Sequence, residues 1–237
     1  HLGTQMKSTG EVMSIGRNFE EALLKGVRSL EIGSSYLNSP DMTEDEIEEE
    51  LRHATDRRLF AIAEALRRGH DPEQISELAQ WDNFFTLKIK NIIDMENLIK
   101  TEKLTPGLLR KAKRMGFPDS VIASFSNMEE FDVREMRQKE GILPVYKMVD
   151  TCAAEFEAKT PYFYSTYGNS CESTRDKSKK CVIIIGGGPI RIGQGIEFDY
   201  CCVHSVIALQ DAGVDAVIIN NNPETVSTDF DISDRLY

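Results

Sequence analysis

The stretch from Lys180 to Tyr200, KCVIIIGGGPIRIGQGIEFDY, restricts the fold of this chain more than any other. An apolar, β-branched run strikes a glycine cluster, the pattern of a buried strand entering a tight loop. The segment that follows, IEFDYCCVHSVIALQDAG, reads as a helix ending at Gly213. VDAVIIN then reads as a second strand, and NNPETVSTD as a loop at its C-terminal end. Strand, helix and strand over this length predict a right-handed βαβ unit, whose ligands bind at the loops that follow the strands.

Glycines let main chain approach a ligand closely and expose amides at a helix N-terminus, where the dipole favours an anion. Gly186, Gly187, Gly188, Gly193 and Gly195 serve that general purpose, or simply make a tight turn from strand to helix. A dinucleotide fingerprint starting at Gly186 needs glycine at position 191, where Arg191 stands; a register starting at Gly193 fails at Phe198. A P-loop needs Gly-Lys-Ser/Thr, which is absent. Arg191, Gln194, Glu197 and Asp199 flank the bend, and the next strand delivers Asn220, Asn221, Asn222, Pro223, Glu224 and Thr225. Adjacent strand ends lie about 5 Å apart, so both loops are expected to share one polar pocket, an anion site by spacing alone. Glu197 and Asp199 also fit plain compensation of a helix dipole.

From about Asn18 to Gly141 the grain is helical. NFEEALLKGVRSL puts Leu23, Leu24, Val27 and Leu30 on one face, and DRRLFAIAEALRRG does so for Leu59, Ile62, Ala63 and Leu66 before a stop at Gly69. TEDE at Thr43–Glu46 fits a capping box. Asp71-Pro72 and Thr105-Pro106 each set an N-cap before a first-turn proline. DNFFTLKIKNIIDMENLIK carries Phe85, Ile89, Ile92, Ile93 and Leu98 on a broad apolar face, and Gly116 and Gly141 stop two further helices. The charge-rich EDEIEEELR reads as a solvated helix face. LPVYKMVDTCAAEFEAKTPYFYSTYG loses periodicity and reads as an extended connector, closed by the polar NSCESTRDKSKK.

Composition bounds the function. The 237 residues are 41% hydrophobic and 28% charged, with a net charge of −11. That balance disfavours a duplex or membrane-surface binder, including a helix-turn-helix reading of the short helices, because phosphate contacts demand a basic face. No apolar run approaches the roughly 20 residues that span a bilayer, and the N-terminus lacks a secretory signal pattern. Its first residue is not Met, which suggests a piece of a longer chain. Cys152, Cys171, Cys181, Cys201 and Cys202 form no CxxC pair, so they are expected as reduced thiols, with Cys181, Cys201 and Cys202 acting as small buried hydrophobes. The four scattered histidines offer no zinc pattern.

GGGPIRIGQGIEFDYCCVHS and NNNPETVSTDFDISDRLY closely resemble the large subunit of carbamoyl phosphate synthetase, at the start of its carboxy-terminal synthetase half. LPVYKMVDTCAAEFEAKTPYFYSTY resembles the connector into that half, TQMKSTGEVMSIGR the end of the first ATP-grasp domain, and the helical region matches the oligomerisation domain by position and character. The resemblance implies a multi-domain chain, an all-α domain followed by an α/β, Rossmann-like pre-ATP-grasp segment. Residues 1–16 would be the ATP-grasp tail, 17–142 the oligomerisation domain, 143–179 the connector and 180–237 the truncated second pre-ATP-grasp domain.

The resemblance further implies a cytoplasmic ligase that makes carbamoyl phosphate from bicarbonate, glutamine-derived ammonia and ATP, for arginine and pyrimidine biosynthesis. Gly187, Gly188, Arg191, Gln194, Gly195, Glu197, Asn222, Pro223, Glu224 and Thr225 would line the carbamate site and tunnel of the second half. No catalytic residue and no metal ligand is expected in this stretch. ATP, Mg2+ (or Mn2+) and K+ belong to the whole enzyme rather than to this piece, which should be inert alone. Its expected partners are the glutamine amidotransferase subunit or domain, the rest of the large subunit, and copies of itself through the helical domain, with no nucleic acid or membrane. The rival reading is a helical self-association module on a non-catalytic βαβ scaffold. A nucleotide-binding oxidoreductase is weakened by Arg191.

Overall fold

The computed structural model describes residues 11–38, 41–174, 177–190, 197–222 and 224–237, with the side chains of Glu197 and Phe198 outside the description. The chain divides into two compact units. One comprises Arg17–Arg28 and Ile32–Leu143, and the other the segment ending at Gly16, Ser29–Glu31 and Pro144–Tyr237.

The helical unit contains α1 (Phe19–Ser29, whose last residue falls in the other unit), α2 (Glu44–Arg52), α3 (Arg58–Arg67), α4 (Pro72–Ala79), α5 (Asn83–Thr101), α6 (Pro106–Arg114), α7 (Asp119–Ser126) and α8 (Glu130–Lys139). Their ends are set locally. Thr43 and Glu46 form the reciprocal capping box of α2. The Asp71 carboxylate accepts from the amides of Glu73 and Gln74 ahead of α4, and the Thr105 hydroxyl accepts from Leu108 N ahead of α6. Gly116 (φ +89°) and Gly141 (φ +63°) take the left-handed turns after α6 and α8. Between those glycines lie two helices, because Asn127 turns left-handed (φ +52°) and breaks the run.

Ile47, Leu51, Ile62, Ile89, Ile92 and Ile99 are almost wholly buried, each contributing about 1.5–3 kcal/mol of apolar burial. The face of α5 differs from the sequence expectation at two places. Phe85 and Leu98 are 39% and 40% exposed, and Met95 and Ile99 take the core positions instead. Glu96 lies on the same buried face at 1% exposure. It accepts from Tyr36 Oη (3.0 Å), from Arg67 Nε and Nη2, and from Lys100 Nζ (2.6 Å). Burial raises the Glu96 carboxyl, but the Arg67 and Lys100 hydrogen bonds and charges outweigh it and hold it below the usual carboxylate range.

In the α/β unit the connector is not merely extended. β1 (Val145–Met148) and β2 (Phe163–Thr166) pair antiparallel, with Val145 opposite Thr166. β3 (Cys181–Ile185), α9 (Glu197–Asp211) and β4 (Asp215–Ile219) form the βαβ unit, and β5 (Arg235–Leu236) adds a third parallel strand in the order β3-β4-β5. Ala216, Ile218 and Leu236 pack with Val206 of α9, and Ile184 joins them. The expectation of a fully buried first strand fails. β3 is an edge strand of the described sheet, and Ile183 and Ile185, which alternate away from Ile184, are 57% and 71% exposed. The cysteines divide likewise: Cys202 is buried, Cys181 is intermediate and Cys201 is exposed. No described helix is long and apolar enough to cross a membrane.

Candidate functional site

The register of the parallel sheet aligns Ile185 with Ile219, so β3 and β4 release the chain at the same end. Gly186 N donates to Ile219 O (2.8 Å), which carries the ladder one residue into the bend. A Cβ on Gly186 would stand 2.4 Å from Asn220 Cγ, so only glycine fits beside that side chain. Gly188 then turns left-handed (φ +79°). Its amide donates to Asn220 Oδ1 (3.2 Å), which also accepts from Asn222 N (3.3 Å), while Asn220 Nδ2 donates to Ser227 Oγ (3.3 Å). One carboxamide thus ties the glycine bend to the bend after β4.

The second bend closes on short local turns, one capped by a side-chain oxygen and one by a main-chain carbonyl. Asn222 Oδ1 accepts from Glu224 N (3.0 Å), and Thr225 O accepts from both Thr228 N and Thr228 Oγ1 (3.0 and 2.8 Å). A single 3-10 turn follows over Val226–Thr228. Asp199, 6% exposed in the first turn of α9, accepts from Ser227 N at 2.7 Å. Its role is to fasten that turn to the helix, rather than to compensate a dipole alone. Glu224 is exposed, as is Gly187, and Thr225 is half-buried. Arg191, Gln194, Gly195 and Pro223 lie outside the described residues, and Glu197 is described only as main chain at the start of α9.

Sequence reasoning missed a group of residues from far upstream. Glu11 and Ile190 exchange both backbone hydrogen bonds (3.0 and 2.9 Å), and Met13 N donates to Asn221 O (2.9 Å). Asn221 Nδ2 donates to Ser29 O (3.4 Å), and Asn221 Oδ1 is buried and accepts no hydrogen bond from the described residues. Glu31, itself left-handed (φ +54°), places Oε1 3.3 Å from where a Cβ on Gly188 would lie; Asn221 Oδ1 is 3.8 Å from that point. Isolated bridges and single contacts leave no periodicity, so only a left-handed Glu could have signalled them, and φ is not written in sequence.

These contacts change the amide account. Gly186, Gly188 and Ile190 all spend their N–H groups inside the protein, so those three do not present the anion cradle that the glycine cluster suggests. Among the described residues, no group of three His, Cys, Asp or Glu is disposed to hold a metal ion.

Residues 11–141 match the family model of the carbamoyl-phosphate synthetase large chain, oligomerisation domain. The chain belongs to the carbamoyl-phosphate synthetase large-chain family. Residues 178–237 match a second model, the carbamoyl phosphate synthase pre-ATP-grasp domain, so both strand-end bends fall within it. The whole chain is 55% identical over 236 residues to the carbamoyl phosphate synthase large chain of Methanosarcina barkeri. It is 57% identical over 240 residues to that of Methanothrix thermoacetophila, and 54% over 239 residues to that of Agathobacter rectalis. In each case all of this chain is covered, and it spans 22% of the relative's length. In this family's terms, an oligomerisation domain is followed by a pre-ATP-grasp α/β segment.

Proposed function

We propose that this chain works within a carbamoyl phosphate synthase large chain, a cytoplasmic ligase that joins bicarbonate, glutamine-derived ammonia and phosphate from ATP. The helical unit supplies contacts between copies, and the two strand-end bends line the carbamate site of the second synthetase half. What carries this reading is identity of 54–57% across all of the chain, through two family models in the order oligomerisation domain then pre-ATP-grasp domain.

In this reading the nucleotide, Mg2+ (or Mn2+) and K+ are held outside these 237 residues, and a glutamine amidotransferase partner delivers ammonia. Phosphoryl transfer needs a phosphate cradle and cations to offset moving charge. The 237 residues by themselves are therefore inert. Gly187, Gly188, Asn222, Glu224 and Thr225, with Arg191, Gln194, Gly195, Glu197 and Pro223, border the carbamate. Carboxylates at Glu197 and Glu224 disfavour an anion beside them and favour neutral carbamic acid in transit.

Purified full-length protein given bicarbonate, ammonia and ATP is expected to form carbamoyl phosphate, while the 237-residue chain forms none. Absence of product from the full-length protein would overturn the reading. Self-association is checked separately by light scattering over a concentration series. Phe84 and Phe85, 52% and 39% exposed and in ring contact with Phe19, make Phe84→Ser the variant expected to weaken it.

A further inference from the structure

We infer that Tyr162 is a positioning residue for the bend after β4: its hydroxyl, carried on the connector, sets the turn that presents Glu224 and Thr225. The inference rests on the proposed reading of that bend as part of the carbamate site. Tyr162 Oη donates to Thr228 O at 2.7 Å, across 66 residues of sequence. Thr228 in turn donates from N and Oγ1 to Thr225 O (3.0 and 2.8 Å), and Glu224 is the residue before Thr225. A shift of the Thr228 carbonyl is therefore passed to Thr225 through two hydrogen bonds. Asp199 Oδ2 and Asn220 Nδ2 hold the same turn at Ser227, through its N and Oγ. Upstream, Asn222 Oδ1 fixes Glu224 N. Tyr162 fixes the downstream end.

The phenol can place a carbonyl because its own ring and main chain are both fixed. The ring packs against Val206, Ala216, Ile218 and Leu236, the core of the α/β unit. Tyr162 bridges Leu236 of β5 in parallel, Leu236 N donates to Pro161 O (2.8 Å), and Val149 N donates to Tyr162 O (2.9 Å). A donor on so constrained an arm sets where its acceptor sits rather than following it. Burial, with the Asp229 and Asp231 charges adding to it, pushes the phenol above its usual range, so the group stays a donor at neutral pH. The segment read as a linker is thus part of the scaffold of the bend. A tyrosine that merely satisfied a carbonyl at a sheet edge would affect stability and leave the use of ATP untouched.

The test uses full-length protein. Tyr162→Phe keeps the ring and deletes the hydroxyl. Thr228→Val deletes the Oγ1 link to Thr225 O at nearly constant volume, and so tests the same relay from its other end. Ser173→Ala is the control, since it removes a connector contact to the Tyr237 hydroxyl that does not reach the turn. In both test variants carbamoyl phosphate per ATP consumed should fall about two- to tenfold, the range that loss of one net hydrogen bond gives, while ATP consumption persists. Ser173→Ala should keep the wild-type ratio. Hydrogen-exchange mass spectrometry of Tyr162→Phe should show faster exchange in peptides spanning residues 225–229 and unchanged exchange in those of β4. A wild-type ratio in either test variant, unchanged exchange at residues 225–229, or an equal fall in Ser173→Ala would overturn the inference. If Glu224→Ala lowers the ratio and Tyr162→Phe does not, the inference fails and the reading of the bend survives. If Glu224→Ala keeps the wild-type ratio, the reading itself fails, and the inference with it.

Discussion

Asn220 decides what its neighbours can be. Its carboxamide occupies the space a Cβ on Gly186 would take, and joins Gly188 N, Asn222 N and Ser227 Oγ. Gly186→Ala must push that side chain off its partners, and overpacking of this kind costs about 1–3 kcal/mol. We expect a urea midpoint lowered accordingly, with the Gly188 and Asn222 amides losing protection from hydrogen exchange; an unshifted midpoint would contradict the contact. The glycines themselves were legible as a close approach of main chain. Their partner was not, because sequence order does not say which of Asn220, Asn221 and Asn222 turns inward.

At the scale of elements, caps were the most readable feature: Thr43, Asp71 and Thr105 each use an oxygen within three residues of the amide they satisfy. Burial was read less well where a charge sits on a core face. Glu96 stands seven residues after Ile89 and four after Ile92, on the apolar face by spacing, but its charge hides that placement; it joins α3 and α5 through Arg67. Glu96→Ala leaves that guanidinium, 18% exposed, with the Glu64 carboxylate but without its buried partner. The loss is expected near the lower end of the about 3–5 kcal/mol found for broken buried pairs, read by urea denaturation.

The same group gives a pH signature. The folded carboxyl lies below its unfolded value of about 4.3. Its stabilisation is therefore complete above that pH and is lost as pH falls through the folded value. Wild type should lose more stability than Glu96→Gln between neutral pH and about pH 3. Parallel acid limbs in the two proteins would contradict the assignment.

For the molecule as a whole, the change from 3.6-residue periodicity to a β-branched run revealed two kinds of architecture before any coordinate was known. The return of Glu11, Met13, Ser29 and Glu31 to the strand ends was not visible, since one or two residues make each contact. Exposed Ile183 and Ile185 show the same limit from the other side. A run of isoleucines reports that a surface is apolar, not what covers it. The account of function turns on the two bends acting together on carbamate. Its most direct test is the carbamoyl phosphate formed per ATP consumed by full-length protein carrying Glu224→Ala or Glu197→Ala. ATP consumption should persist while product per ATP falls; a ratio equal to wild type in both variants would contradict the account.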